Sequence, residues 1–296
     1  MYIEQLLSRK TSLALYLPLP LCFFAFMIFN YIQTQDLDSE EILKNLIAQI
    51  GINAAFFAVV SPLAFLCLVL LLWVKFAHQQ SITSLTTSRK SIDWKRVFFS
   101  FTLWGVFLII SISVSYYNSP ENFLYNFKLI PFILFLLMAI VLIPLQTSFE
   151  EYLFRGYLMQ GLGLTFKNRW IPLFFTSLTF GLMHIANPEV GKMGYIILLY
   201  YIGTGFFLGI MTLMDEGLEL ALGFHAANNL IGALLLTSDW SAFQTHAVLK
   251  DMAEPSVGIY VLLPIFVLFP IILFVFSKKY GWQNWSDKLF GTAKVL

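Results

Sequence analysis

The sequence predicts an all-α fold, a polytopic membrane helical bundle of about eight transmembrane helices, forming one domain over residues 1–296. Three observations predict it. Hydrophobic residues make up 58% of the chain and charged residues only 12%, against about 25% charged in a soluble protein. The apolar residues fall in runs long enough to cross a hydrocarbon layer, which takes about 20 residues as a helix. The basic residues also sort by loop. The surplus apolar surface has to face lipid.

The first span, 13–32, is too long for a signal peptide and lacks a small-x-small cleavage site, so it is read as a retained anchor. In the following loop, Leu43, Leu46, Ile47 and Ile50 recur at helical spacing, which predicts a helix on the membrane surface. Spans 52–76 and 97–116 come next. Gln79–Lys95 between them, rich in Ser, Thr and basic residues, is expected to be a solvated connector. The fourth span, 128–147 running on into 148–166, exceeds one perpendicular crossing, which predicts a bend near Pro144 or an inward extension. Lys167-Asn168-Arg169 is the turn into 170–187. The remaining spans are 194–214, 217–237 and 257–277. Gly205-x-x-x-Gly209, with Gly203 nearby, predicts close helix packing. Trp282, Trp285 and Leu289 of the tail, set among lysines, are expected at the interface.

With the N-terminus inside, the inner segments hold Arg9, Lys10, Lys75, Arg89, Lys90, Lys95, Arg96, Arg155, Lys167, Arg169, Lys278, Lys279, Lys288 and Lys294. The outer segments hold only Lys44, Lys128, Lys192 and Lys250. This asymmetry predicts a multi-pass cell-membrane protein with both termini cytoplasmic. The lipid bilayer is thus an expected partner, and nothing points to nucleic acid. Cys22 and Cys67 lie in apolar runs and suggest no disulfide framework. Paired Cys-x-x-Cys and His-Glu-x-x-His zinc signatures are absent.

Three stretches place ionisable or amide groups inside apolar runs: Glu150-Glu151-Tyr-Leu-Phe-Arg155, Phe180-Gly-Leu-Met-His184 and His225-Ala-Ala-Asn-Asn229. A charge at membrane depth costs roughly 2.5–3.5 kcal/mol on insertion scales, so such groups turn inward, pair and serve a function. Helical residues four apart share a face, so Glu151 pairs with Arg155. Glu150 points about 100° away and has no local partner, which suits a general base. The alternative is one satisfied cluster of charges that holds helices together. Phe180 shares a face with His184, and His225 with Asn229 rather than Asn228. Each histidine alone could equally be a hydrogen-bonded structural residue. His78 and His246 lie in loops and need no special role. Asp215 and Glu216 are expected to be solvated, and Glu219 to be an interfacial carboxylate reaching for water.

Depth brings the groups together. Glu150 lies 18 residues before Asn168 and His184 16 after it, which puts both about 25 Å from the turn at about 1.5 Å per residue. His225, about eight residues into its helix, matches that depth only if the fourth and fifth helices project inward.

Together the three motifs resemble the CPBP family, the CAAX proteases and bacteriocin-processing enzymes also called the Abi family. Its pattern is Glu-Glu-x-x-x-Arg, Phe-x-x-x-His and His-x-x-x-Asn/Asp, each on its own membrane helix. The resemblance covers about residues 142–232, which would form the catalytic core. It implies an intramembrane endopeptidase in which Glu150 is the general base and His184 its partner in polarising a water. His225 and Asn229 would hold the oxyanion, with Glu151, Arg155 and Phe180 supporting. The implied partner is a peptide or membrane-protein substrate, prenylated or not. The scheme requires no cofactor. One carboxylate and two histidines also equal a known zinc ligand set, which makes a zinc-dependent protease the alternative. Two further classes compete. A transporter or channel would use the same groups to relay protons, but paired broken segments of an inverted repeat are absent. A non-proteolytic scaffold or immunity protein would keep the residues and bind a partner.

Overall fold

The computed structural model describes residues 2–6, 13–34, 37–255 and 258–293. Arg9, Lys10 and Lys294 of the inner basic set, and the first residue of the last expected span, lie outside them. A short 3-10 turn, Ile3–Leu6, precedes α1 (Pro18–Thr34), α2 (Ser39–Ile50) and α3 (Ile52–Phe76). Then come α4 (Ile82–Thr86), α5 (Trp94–Asn118) and α6 (Leu129–Glu151), which runs through a π-helical segment, Tyr152–Leu158, into α7 (Met159–Phe166). The chain continues as α8 (Trp170–Leu182), α9 (Pro188–Met193), α10 (Ile196–Asp215) and α11 (Glu219–Leu235). A second π segment, Pro264–Leu268, leads into α12 (Phe269–Tyr280), and α13 (Trp285–Phe290) follows.

All eight expected spans are helices, and the bundle is all-α with one small sheet. Four of them are long and apolar enough to cross a membrane: Ile52–Phe76, Trp94–Asn118, the continuous run Leu129–Phe166, and Ile196–Asp215. Helices α1 and α8 are apolar but shorter. Helix α11 has only 17 residues, among them Glu219, His225 and two asparagines. The expected surface helix is α2. The Asp38 carboxylate accepts from the Glu40 amide at its start, and Gly51, at φ 83°, ends it in a conformation open to glycine. Glu40 pairs with Lys44 on α2 and with Lys192 on α9, tying the two together.

The long fourth segment stays helical through Pro144, and its irregularity is the π segment that begins eight residues further on. The helical run continues through this segment to Phe166. Helix α7 packs against the Ile3–Leu6 turn, and Gln160 is hydrogen-bonded by Gln80 at 3.0 Å. The turn falls where expected, with Lys167 at φ 50° and the Asn168 Oδ1 accepting from the amides of Trp170 and Ile171.

Three expectations about the end of the bundle that the charge pattern assigns to the inner side are corrected. The 79–95 connector is not solvated throughout: Gln80, Leu85, Thr86 and Thr87 are buried, because α4 covers the π segment. Trp282 and Leu289 turn into the bundle, whereas Trp285 stays exposed. Asp215, Glu216 and Glu219 are held by cations. Asp215 is paired with Arg89 and Arg96 and accepts from the Trp282 indole. Glu219, 0% exposed, is paired with Arg89 at 3.1 Å and accepts from the Asp93 amide. Glu216 pairs with Lys288. Each carboxylate meets cations brought from distant segments, so burial costs less than solvation alone would suggest.

At the opposite end lies a three-stranded sheet, β1 (Phe123–Tyr125), β2 (Leu236–Ser238) and β3 (Leu249–Asp251), in the order β1-β3-β2. Strand β3 runs antiparallel to β1 and parallel to β2. All three strands come from segments that the charge pattern assigns to the outer side, and the ion pairs of Arg89, Arg96 and Lys288 come from inner ones. Between the ends, α8 and α10 are in close contact. A Cβ on Gly205 would fall 2.6 Å from the Ser177 carbonyl oxygen, so the expected glycine contact is made.

Candidate active site

A cavity of about 440 Å³ opens between α3, α6, α10, α11 and the turn after α8. Glu150, Phe180, His184, His225 and Asn229 all line it. Glu151 and Arg155, 0% exposed, lie behind it.

Helix α6 presents its two adjacent carboxylates to different neighbours, as the helical spacing predicts. Glu151 Oε1 accepts from Arg155 Nη1 at 3.0 Å and from His225 Nδ1 at 2.7 Å. With Nδ1 spent on Glu151, the His225 Nε2 faces Glu150 Oε2 at 3.8 Å, beyond hydrogen-bond range. Glu150 is 3% exposed. Its Oε1 accepts from Gln146 Nε2, one turn earlier, and its Oε2 has no hydrogen-bond partner among the described residues. Glu150 therefore faces the cavity with one carboxylate oxygen held and the other available.

Arg155 ties two further elements, α8 and α10, to this pair. Its Nη2 donates to the Gly205 carbonyl on α10 at 3.2 Å, and its guanidinium lies over the Phe180 ring at 4.1 Å. Phe180 also packs beside His184 and His225, with ring centroids 5.0 and 6.0 Å away. The π segment carries Arg155 into this position; such irregular turns recur at functional sites.

His184 is not on the helix. Helix α8 stops at Leu182, and the His184 ring folds back so that Nδ1 meets the Phe180 carbonyl at 2.8 Å. The ring thereby takes up a carbonyl that the helix no longer pairs. Tyr201 stacks on its face at 4.2 Å. This leaves Nε2 as the remaining polar atom of His184.

Asn229 Nδ2 contacts Gln146 Oε1 at 3.4 Å and its Oδ1 accepts from Asn228 Nδ2 at 3.1 Å. Asn228 in turn accepts from the Trp104 indole at 3.0 Å. A chain of polar contacts therefore runs Trp104, Asn228, Asn229, Gln146, Glu150. Gln146 is the residue the sequence reading missed. Its signal was present, an amide four positions before Glu150 in an otherwise apolar run. Tyr201 and Trp104 reach the site from other helices and carry no local mark. His225 meets Glu151 at 2.7 Å, and the helical run continues past Glu151 to Phe166.

Among the described residues, no three His, Cys, Asp or Glu side chains gather as ligands of one metal ion. A carboxylate with a free oxygen, two imidazoles and an amide around one cavity can deprotonate a water and stabilise the charge that its attack creates.

Residues 129–231 match the family described as type II CAAX prenyl endopeptidase Rce1-like. That range contains all seven residues of the three motifs. Among curated proteins, the chain is similar to an uncharacterized protein of Bacillus subtilis (strain 168), YyaK, with 31% identity over 174 residues. The match covers 57% of this chain and 57% of that protein, so it spans little more than half of either. No solved structure matches.

Proposed function

We propose, on the premise that segment 129–231 belongs to the Rce1-like family of type II CAAX prenyl endopeptidases, that this membrane protein is an intramembrane endopeptidase with Glu150 as its base. The observation that carries the reading is the Glu150 carboxylate, with Oε1 anchored by Gln146 and Oε2 unpaired opposite His225 Nε2. Glu150, assisted by His184, takes a proton from a water whose oxygen attacks the scissile carbonyl. The carbonyl oxygen becomes negative and is met by Asn229 Nδ2 and by the His225 imidazole, whose ring Glu151 orients. Glu150 then returns the proton to the leaving nitrogen as the C–N bond breaks, releasing a carboxylic acid and an amine. Arg155 and Phe180 hold Glu151 and the two imidazoles in place.

The substrate is a peptide or a membrane-protein segment, and the family description points to prenylated C-termini as the first to try. No metal enters this scheme. The protein sits in the cell membrane with both termini cytoplasmic, a reading supported by the loop charges and by the separate clustering of inner and outer segments.

The test is cleavage of quenched peptides, with and without a prenylated cysteine, by the purified protein in liposomes. Glu150→Gln is expected to lower the rate by about 10²–10⁴-fold, and a chelator to leave it unchanged. Cleavage lost to the chelator and restored by zinc would recast Glu150, His184 and His225 as ligands. A Glu150→Gln variant that cuts as fast as the wild type would sink the reading, and one that keeps a cellular effect without cleavage would favour a scaffold.

A further inference from the structure

Glu189 belongs to none of the three motifs, yet it lines the same cavity as Glu150 and His184. It sits at the start of α9, in the loop between α8 and α10. Its Oε1 accepts from the Ala242 amide at 2.8 Å, and its Oε2 is buried with no hydrogen-bond partner among the described residues. The nearest cation along the chain, Lys192, is committed to Glu40 at 3.0 Å. Met27, Val59, Leu63 and Phe243 line the same cavity, and no lysine or arginine is among its described lining residues. A carboxylate in such a place is costly unless a cation meets it. Burial does push the Glu189 carboxyl above its ordinary range.

Glu189 shares this cavity with Tyr201, whose ring stacks on His184 with centroids 4.2 Å apart. A group bound at Glu189 therefore occupies the same cavity as Glu150 and the two histidines. The apolar wall suits the alkyl stem of a long basic side chain, with the charged head at the end.

We propose that Glu189 is a specificity residue that receives the cationic side chain of a lysine or arginine close to the scissile bond of the substrate. The word substrate here rests on the protease reading above, so the test separates binding from cleavage. The probes are fluorescent Leu/Ala-rich peptides in which one lysine, or norleucine in its place, is moved along the chain. They are titrated against the Glu150→Gln protein in detergent, where nothing is cut.

At one peptide position the lysine form should bind about tenfold tighter than the norleucine form, as expected for one charge-assisted contact. Adding Glu189→Gln, which keeps an acceptor for Ala242, should bring that ratio to about one. Glu189→Lys should transfer the preference to a peptide carrying glutamate there. A ratio near one at every position overturns the proposal, as does a lysine preference that survives Glu189→Gln, or a failure of all the peptides to bind. Charge-selective binding in a protein whose wild type cuts nothing would uphold Glu189 and sink the protease reading. Cleavage by the wild type without charge selectivity would do the reverse.

Discussion

Glu151 carries more of the site than its neighbour Glu150, because a single oxygen takes donors from two different elements. Arg155 approaches it at 3.0 Å and His225 at 2.7 Å, and neither Glu151 nor Arg155 has any exposed surface. Removing the cation leaves a buried carboxylate with one donor. Arg155→Ala is therefore expected to cost about 3–5 kcal/mol, more than most core truncations. Unfolding in detergent measures it, and a loss below about 1 kcal/mol, the scale of an exposed pair, would show the ion pair to be dispensable. At this scale the helical spacing made much of the site legible. It separated Glu150 from Glu151, paired Glu151 with Arg155 and chose Asn229. It did not show that Glu151 also holds His225, since that bond joins positions 74 apart. Distance along the chain also explains the misreading of Glu219, whose partner Arg89 lies 130 residues away.

Among the elements, α8 and α10 approach closely at Gly205, whose carbonyl receives Arg155. A side chain at Gly205 meets the Ser177 backbone, which cannot rotate away. Gly205→Ala should destabilise by about 1–3 kcal/mol through overpacking and reduce peptide cleavage as Arg155 shifts. Gly191→Ala, facing open space, is the control and should stay within about 0.5 kcal/mol. Equal stability of the two variants in parallel melts would contradict the packing argument. The existence and order of the helices were legible from hydropathy, but their ends were not. Helix α8 stops at Leu182 although apolar residues continue through Met183, Ile185 and Ala186, so hydropathy carried the expected span to 187. The π segment is equally hidden. Its residues are as apolar as an α-helix requires, and the extra residue per turn is stabilised by contacts from α4 and α8.

At the scale of the whole molecule, the contacts respect the sorting of basic residues. The sheet gathers three segments that this sorting assigns to one side, and Asp215 gathers Arg89, Arg96 and Trp282 from segments assigned to the other. The helices between those ends are unequal. Helices α3 and α5 have 25 residues each and the fourth run 38, while α8, which leads to His184, has 13 and α11, which carries His225, has 17. At about 1.5 Å per residue, the last two measure about 20 and 26 Å against a hydrocarbon layer of about 30 Å. On that side of the bundle the bilayer must thin, or the polar turn with His184, Asn187 and Glu189 must lie beneath the headgroups. Peptide cleavage should accordingly slow as the host lipid is changed from dimyristoyl to dierucoyl phosphatidylcholine, and a rate indifferent to acyl length would refute this. On the proposed reading, hydrophobic mismatch does the work of a channel: water reaches the peptide bond because two helices of the site are too short for the membrane.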